Sequence, residues 1–210
     1  MVLQHVGLIP DGNRRWARAN NVSLTRGYRA GMARLAQLTD HLMQCDVRSV
    51  SLYLLSADNL KRDSGDLAAV VAAESYFVDE LMPPIIARHK ATIALAGRMS
   101  ALPQIFRPPL RRLLANRPAA ACRRVYLCAG YDPFDEIAFS PRANISSLWV
   151  PERLDLIIRS GGHARLSNFL PLQSAYAELY FLEKMFPDVT TDDVDQILER
   201  FSRVTKNSGR

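Results

Sequence analysis

Short apolar runs alternate with stretches of helical period along most of this chain, and few folds accommodate that order. The runs fall at Val2 to Ile9, Ser49 to Leu55, Ala91 to Ala96, Arg124 to Ala129 and Leu154 to Ile158, each the length of a buried strand. Between the first two, Met32, Leu35, Leu38, Leu42 and Met43 recur at the spacing of one helix face from Arg29 to Gln44. Val70, Val71, Phe77, Val78 and Leu81 mark a second helix, which Pro83-Pro84 should break or kink. A capping box at Thr190 to Asp193 opens a last helix, with Val194, Ile197, Leu198 and Phe201 on one face. Right-handed crossovers turn this alternation into an α/β fold. A mostly parallel central sheet is flanked by helices on both faces, and a site is expected at the carboxyl ends of the strands. With 210 residues, 48% of them hydrophobic, a single domain spanning 1–210 can bury one large core.

Composition removes several classes of function. No stretch approaches the roughly 18 to 20 uninterrupted apolar residues of a membrane span, and the N-terminus lacks a charged segment followed by an apolar signal core. A cytoplasmic protein is expected, with peripheral membrane contact left open. Cys45, Cys122 and Cys128 are odd in number, lie in apolar segments and lack Cys-x-x-Cys spacing, so they are expected as reduced core residues and not zinc ligands. A formal charge of +6 favours an anionic partner. The arginines form neither a lysine-rich run nor an aromatic-spaced stripe, so nucleic acid is not the expected partner. Arg14, Arg15, Arg62, Arg159 and Arg165 instead follow predicted strands, which points to a compact phosphate pocket.

Two segments carry chemistry. Asp11-Gly12-Asn13-Arg14-Arg15-Trp16 follows the first apolar run directly. A carboxylate supplies the hard oxygen that Mg²⁺ takes, and the arginine forks match diphosphate oxygens; a solvated surface turn is the bland alternative. Arg159-Ser160-Gly161-Gly162-His163-Ala164-Arg165-Leu166-Ser167 follows the last predicted strand. Its paired glycines let backbone N–H groups approach an anion, with Arg159, Arg165 and Ser167 as side-chain donors. Neither a Gly-x-Gly-x-x-Gly nor a Gly-Lys-Ser/Thr loop is present, so a dinucleotide or ATP enzyme is not expected.

These segments, with Leu52 to Arg62 and Ala175 to Phe181, resemble the cis-prenyltransferase family of undecaprenyl diphosphate synthase from His5 almost to the C-terminus. The resemblance implies a homodimer of α/β subunits, each with a hydrophobic cleft, joining two isoprenoid diphosphates with Mg²⁺. Asp11 is then the Mg²⁺ and diphosphate aspartate, and Gly12, Asn13, Arg14 and Arg15 hold the allylic diphosphate. Asn59 and Arg62 assist ionisation and proton handling. Arg159, Arg165 and Ser167 bind the second diphosphate, and Glu178 helps hold the metal. Trp16 lines the pocket. For Trp16 and Glu178, core packing or an interface charge are the alternatives.

Departures from the family pattern narrow the expectation. Chain-elongating members usually read Arg-x-x-Gly-His-x-x-Gly where Leu24 to Gly31 stand here, so Leu24 and Tyr28 replace a phosphate-gripping arginine and histidine, and Arg26 or Arg29 compensates. Gly-Gly-Glu-x-Arg has become Gly161-Gly162-His163-Ala164-Arg165, and His163 is a candidate phosphate donor or proton acceptor. The segment from Asp135 to Asp155 is too short for its usual helix, and the arginine-rich tail shrinks to Lys206–Arg210. These changes are similar to the irregular branch, the cyclolavandulyl, lavandulyl and isosesquilavandulyl diphosphate synthases. Head-to-middle joining of dimethylallyl diphosphate with a short allylic diphosphate is therefore expected. A regular polyprenyl elongase and a non-catalytic partner subunit are the alternatives. A floor formed by Tyr76, Phe77 and Met82 should keep the cleft short.

Overall fold

The computed structural model describes residues 3–204 except 62, 117, 119, 120, 142 and 143. Arg62 and the Lys206–Arg210 tail therefore lie outside the described residues. Six strands, β1 (His5–Ile9), β2 (Ser49–Tyr53), β3 (Ala91–Ala96), β4 (Arg123–Cys128), β5 (Leu156–Arg159) and β6 (Glu178–Phe181), form one sheet of order β3-β4-β2-β1-β5-β6. Every neighbouring pair is parallel. The chain leaves β1 toward β2 and returns on its other side as β5, so the strand order reverses between β1 and β5. In open parallel sheets the crevice outside the carboxyl ends at that reversal is where ligands bind. Register puts Ile9 opposite Arg159, so the loops after β1 and β5 are neighbours.

Period-2 alternation sorts the strand side chains between two cores. Val6, Leu8, Val50, Leu52, Val125, Leu127, Leu156 and Ile158 face one side. There they meet α2 (Leu24–Gln44), α3 (Ser64–Tyr76), α4 (Met82–His89), α5 (Arg107–Ala115) and α7 (Thr191–Ser202). Leu35, Leu38, Leu42 and Phe77 are fully buried in this layer, each stabilising the fold by about 1.5–3 kcal/mol. Ile9, Tyr53, Tyr126, Cys128 and Ile157 face the other side, where Phe169, Leu170, Val150 and Leu154 cover them. Among the described residues that second layer holds the short helix α6 (Pro133–Ala138), a 3-10 turn and loop segments. Helices flank the sheet as expected, but unevenly.

Some local expectations are corrected. The regular α-helix is interrupted ahead of Pro83-Pro84, as expected, but the chain stays helical. A π-helical turn, Phe77–Leu81, links α3 to α4 and places both prolines in the first turn of α4. The last helix begins as expected, with Thr190 as N-cap and both capping-box bonds to Asp193 formed. Cys128 is a core residue, but Cys45 and Cys122 are exposed. Cys45 ends α2 beside His41, whose Nε2 lies 2.6 Å from Asp195 Oδ1. Strand β6 is not among the expected strands: its four residues alternate half-buried and exposed at the sheet's edge.

Candidate active site

A cavity of about 650 Å³ opens at the carboxyl ends of β1, β2 and β5. Its polar side begins with Asp11, two residues past β1. Arg159, the last residue of β5 and 4% exposed, donates from Nη2 to Asp11 Oδ2 at 2.9 Å. From Nη1 it donates to Ser167 Oγ at 2.9 Å and to the Arg165 carbonyl. Gly12 N donates to Asp11 Oδ1 at 2.6 Å, and Arg15 Nη2 stands 3.5 Å from that same oxygen. Burial alone would raise the Asp11 pKa. The Arg159 hydrogen bond and charge, the Gly12 N–H and the Arg15 charge overcome it and hold the carboxyl below its ordinary range. Asp11 is thus an ionised hard-oxygen donor at neutral pH.

Three backbone devices keep this group in place. Gly161 adopts φ +85°, and a Cβ there would stand 2.7 Å from Arg15 Nη2 and 3.1 Å from the Asp11 carbonyl carbon. Its carbonyl accepts from Arg15 Nη2 at 2.7 Å. Ser160 Oγ donates to the Asp11 carbonyl at 2.7 Å. Ser167 and Asn168 both take positive φ, 51° and 64°, and the Ser167 carbonyl accepts from Tyr53 Oη at 2.8 Å. Such conformations cost of order 1–3 kcal/mol each and persist where surrounding bonds over-determine them.

The segment after Asp11 is a helix, α1 (Asn13–Ala19), and its faces decide which expected residues reach the cavity. Arg14, Arg15 and Arg18 line it. Asn13 and Ala17, four residues apart, are buried against α2, where Gly27 and Gly31 leave room for them. Trp16 points the other way. Its indole N–H donates to Asp188 Oδ1 at 2.7 Å, so its expected place in the pocket wall is corrected. Arg14 Nη1 donates to Asp66 Oδ2 at 2.8 Å, tying α1 to the first turn of α3 across the mouth.

Gly12, Tyr28, Asn59, His163, Arg165 and Ser167 also line the cavity, as does Asn13 although most of it is buried, so the structure brings them together with Asp11 and Arg159. Arg29 is not among them. It is exposed on α2, with its guanidinium over the Tyr76 ring, 5.1 Å from the centroid. Glu178 is not brought to Asp11 within one chain. It starts β6, paired with Leu156, whereas Phe181 at the far end of β6 is level with Arg159. Three residue steps along β6 place it about 10 Å down the strand. The metal pair expected of Asp11 and Glu178 is not built by one subunit.

The opposite wall is apolar: Tyr28 and Met32 from α2, Leu54 after β2, and Val70 and Ala73 from α3. Of the expected floor, Phe77 and Met82 are fully buried in the core and line nothing, and Tyr76 lies outside the wall. The last residue of α3 to line the cavity is Glu74, 3% exposed. Sequence reasoning also missed Arg18 and Tyr53. Arg18 follows Arg14 at helical spacing, a signal visible once 13–19 is read as a helix. Tyr53 alternates with Leu52 at the end of β2.

The donor set fits Mg²⁺-diphosphate. Magnesium is usually held by one or two carboxylates together with substrate phosphates, and Asp11 offers such a carboxylate beside several guanidiniums. Arg159 Nε is a buried donor without a hydrogen-bond partner among the described residues, next to Asp11. A buried charged donor left in that state is stabilised by an arriving anion.

The family model described as "Putative undecaprenyl diphosphate synthase" matches residues 9–209. An Aeropyrum pernix protein named tritrans,polycis-undecaprenyl-diphosphate synthase (geranylgeranyl-diphosphate specific) is 34% identical over 216 residues, covering 98% of this chain and 97% of its own. A Rickettsia typhi isoprenyl transferase is 27% identical, with 99% and 98% covered. Among solved structures, lavandulyl diphosphate synthase from Lavandula x intermedia, in complex with dimethylallyl diphosphate, superposes with a TM-score of 0.90 at 22% identity, covering 99% of this chain and 98% of that one. A probable undecaprenyl diphosphate synthase from Campylobacter jejuni superposes with a TM-score of 0.83 at 24% identity, covering 100% of both.

Proposed function

The chain belongs to the undecaprenyl diphosphate synthase family of cis-prenyltransferases, and we propose that it joins two short isoprenoid diphosphates head to middle. Dimethylallyl diphosphate is the acceptor, dimethylallyl or geranyl diphosphate the donor, and the product a branched lavandulyl-type diphosphate for terpenoid biosynthesis. Tyr28 carries this reading. It is 6% exposed and lines the cavity where chain-elongating relatives read a histidine that grips the allylic diphosphate.

Asp11 is the residue of this chain that would hold Mg²⁺, which when bound neutralises charge developing on the departing diphosphate. Arg159 orients Asp11 and stabilises the same charge from a buried position. Arg14, Arg15, Arg18 and Arg165 supply further forks around the mouth. The Tyr28, Met32 and Val70 wall excludes water from the allylic cation. Asn59 reaches the cavity from the loop after β2, and Arg62 follows it in the motif. His163 or the released diphosphate accepts the proton; if H163A turns over within a few-fold of the parent, the diphosphate is the acceptor.

A homodimer over the β6 edge is part of the proposal. Leu179 and Phe181 are exposed there, an unpaired apolar edge that a soluble monomer rarely leaves uncovered. Among the described residues no helix is long and apolar enough to cross a membrane.

Mass analysis of products from dimethylallyl diphosphate, alone and with geranyl or isopentenyl diphosphate, tests the reaction. A branched ten-carbon product from dimethylallyl diphosphate alone is expected. Repeated addition of isopentenyl diphosphate would instead establish regular cis elongation, the reading favoured by the activity named for the Aeropyrum relative.

A further inference from the structure

Helix α2 lines the cavity near its start and ends in a second group of chemistry-bearing side chains. His41 and Cys45 stand one turn apart where the helix finishes, and Asp195 meets them from α7. His41 Nε2 lies 2.6 Å from Asp195 Oδ1 and 3.8 Å from Cys45 Sγ, and one ligand atom from each residue falls within 4.8 Å of the other two. At a rise of 1.5 Å per residue, His41 is about 20 Å along the axis from Tyr28, well away from the cavity. His41 is half-buried, whereas Cys45 and Asp195 are exposed and can be reached from solvent. One ring nitrogen offers either one hydrogen or one lone pair, so a hydrogen bond serves the carboxylate and the thiol poorly together. A cation among the three would serve all of them.

We propose that His41, Cys45 and Asp195 form a binding site for a divalent transition-metal ion, zinc being the best fit, and that the ion clamps the end of α2 to α7. Imidazole, thiolate and carboxylate are the ligands zinc ordinarily takes, and a water completes its four positions. Bonds of about 2.3 Å to sulfur and 2.0–2.2 Å to nitrogen and oxygen, at tetrahedral angles, set ligand atoms about 3.4–3.6 Å apart. The nitrogen and sulfur already stand near that spacing, and the exposed Asp195 carboxylate has to swing out by about 0.8 Å. The surroundings favour a cation. The group sits at the carboxyl, negative end of a 21-residue helix. Burial, then the Asp195 and Asp46 charges, push the Cys45 thiol up, so without an ion it stays protonated. On binding, the thiol gives its proton to solvent, and His41 coordinates through the Nε2 lone pair with its proton on Nδ1. The soft sulfur selects against Mg²⁺, the ion that suits Asp11. Cys-x-x-Cys spacing is not needed, because two ligands share a helix face and the third comes from another helix.

The test titrates zinc chloride calorimetrically into the full chain, stripped with a chelator and free of diphosphate, in the parent, C45S, H41Q, D195N and D11N. The parent should bind one equivalent with a Kd of about 1–10 μM, weaker than a four-ligand structural site. C45S and H41Q should bind about 10²-fold more weakly or worse, and D195N about 10-fold. D11N should bind as the parent does, which separates this ion from one held in the cavity. At a hundredfold excess of zinc over Kd the parent's melting temperature should rise by about 5–10 °C, and that of C45S by less than about 2 °C. Cobalt(II) in place of zinc should give the parent the strong visible absorption of a tetrahedral site with a thiolate charge-transfer band, and C45S neither. Should H41Q not fold, the exposed positions in C45S and D195N decide. Absence of binding by the parent up to about 1 mM zinc overturns the proposal. So does C45S binding or being stabilised within a few-fold of the parent, a cobalt spectrum without the thiolate band, or loss of the ion in D11N.

Discussion

The two ends of β1 treat charge in opposite ways. At its start His5 is 1% exposed, with Nε2 2.8 Å from Ser51 Oγ and Nδ1 3.1 Å from the Arg153 carbonyl, and burial pulls its pKa down to about 4. Just past its end, Asp11 is half-buried, and arginines hold it ionised against that burial. The amino end neutralises its titratable group and satisfies it from within. The carboxyl end keeps a charged group poised, with donors such as Arg159 Nε not yet used. The loops explain the difference. At the carboxyl end two neighbouring strands finish level and their loops diverge, leaving a crevice, while at the amino end the sheet is closed by the Asp155 carboxyl bonded to the Gln4 and His5 amides.

The contrast breaks most readily at Arg159. Arg159→Lys keeps the charge but cannot hold Asp11, Ser167 and the Arg165 carbonyl at once, so kcat/KM should fall about 10²- to 10³-fold with little change in melting temperature. Activity within a few-fold of the parent would mean that charge alone suffices.

Acid titration separates the two ends. The unfolded chain binds the His5 proton with a pKa near 6.5 and the folded one near 4, so this group's contribution is complete above pH 6.5 and lost as pH falls toward 4. Unfolding free energy from urea titrations should drop by about 3 kcal/mol over that window, and H5Q should flatten the slope. Asp11, lowered from 3.8, stays ionised through the same window, and its contribution fades only below that value. An activity limb near pH 5 in protein that remains folded would contradict this assignment.

Smaller effects sharpen the boundary of the site. Gly161→Ala forces a Cβ toward Arg15 and Asp11 at positive φ, and should cost about 1–3 kcal/mol of stability and raise KM for the diphosphates. Trp16→Phe loses the bond to Asp188, outside the cavity. It should cost about 1 kcal/mol in chemical denaturation while leaving KM unchanged.

What could be read beforehand follows the same division. The strands ending at Asp11 and Arg159 were legible because an apolar run that stops at a charge marks both a strand and its carboxyl end. The motifs there lie within a few residues of one another in sequence or in register. The helical wall was not legible. Which face of a seven-residue helix meets the cavity depends on Gly27 and Gly31 of α2, so Trp16 was placed inside and Arg18 was overlooked. Pro83-Pro84 marks an interruption of the helix, but that it takes the form of a π turn leaves no local mark. Glu74 stands in an otherwise small and apolar stretch, and only the cavity shows that it faces inward. Edge strand β6 is short and half exposed, so its few apolar residues do not mark it as a strand, and the depth of Glu178 is hidden with it.

Pyrophosphate release from dimethylallyl diphosphate by the purified chain, followed with and without Mg²⁺ in the parent and in D11N, tests most directly whether Asp11 carries the chemistry. The parent should release pyrophosphate only with Mg²⁺, and D11N should be slower by about 10³-fold or more with the fold intact. Magnesium-dependent release by D11N within a few-fold of the parent would contradict it.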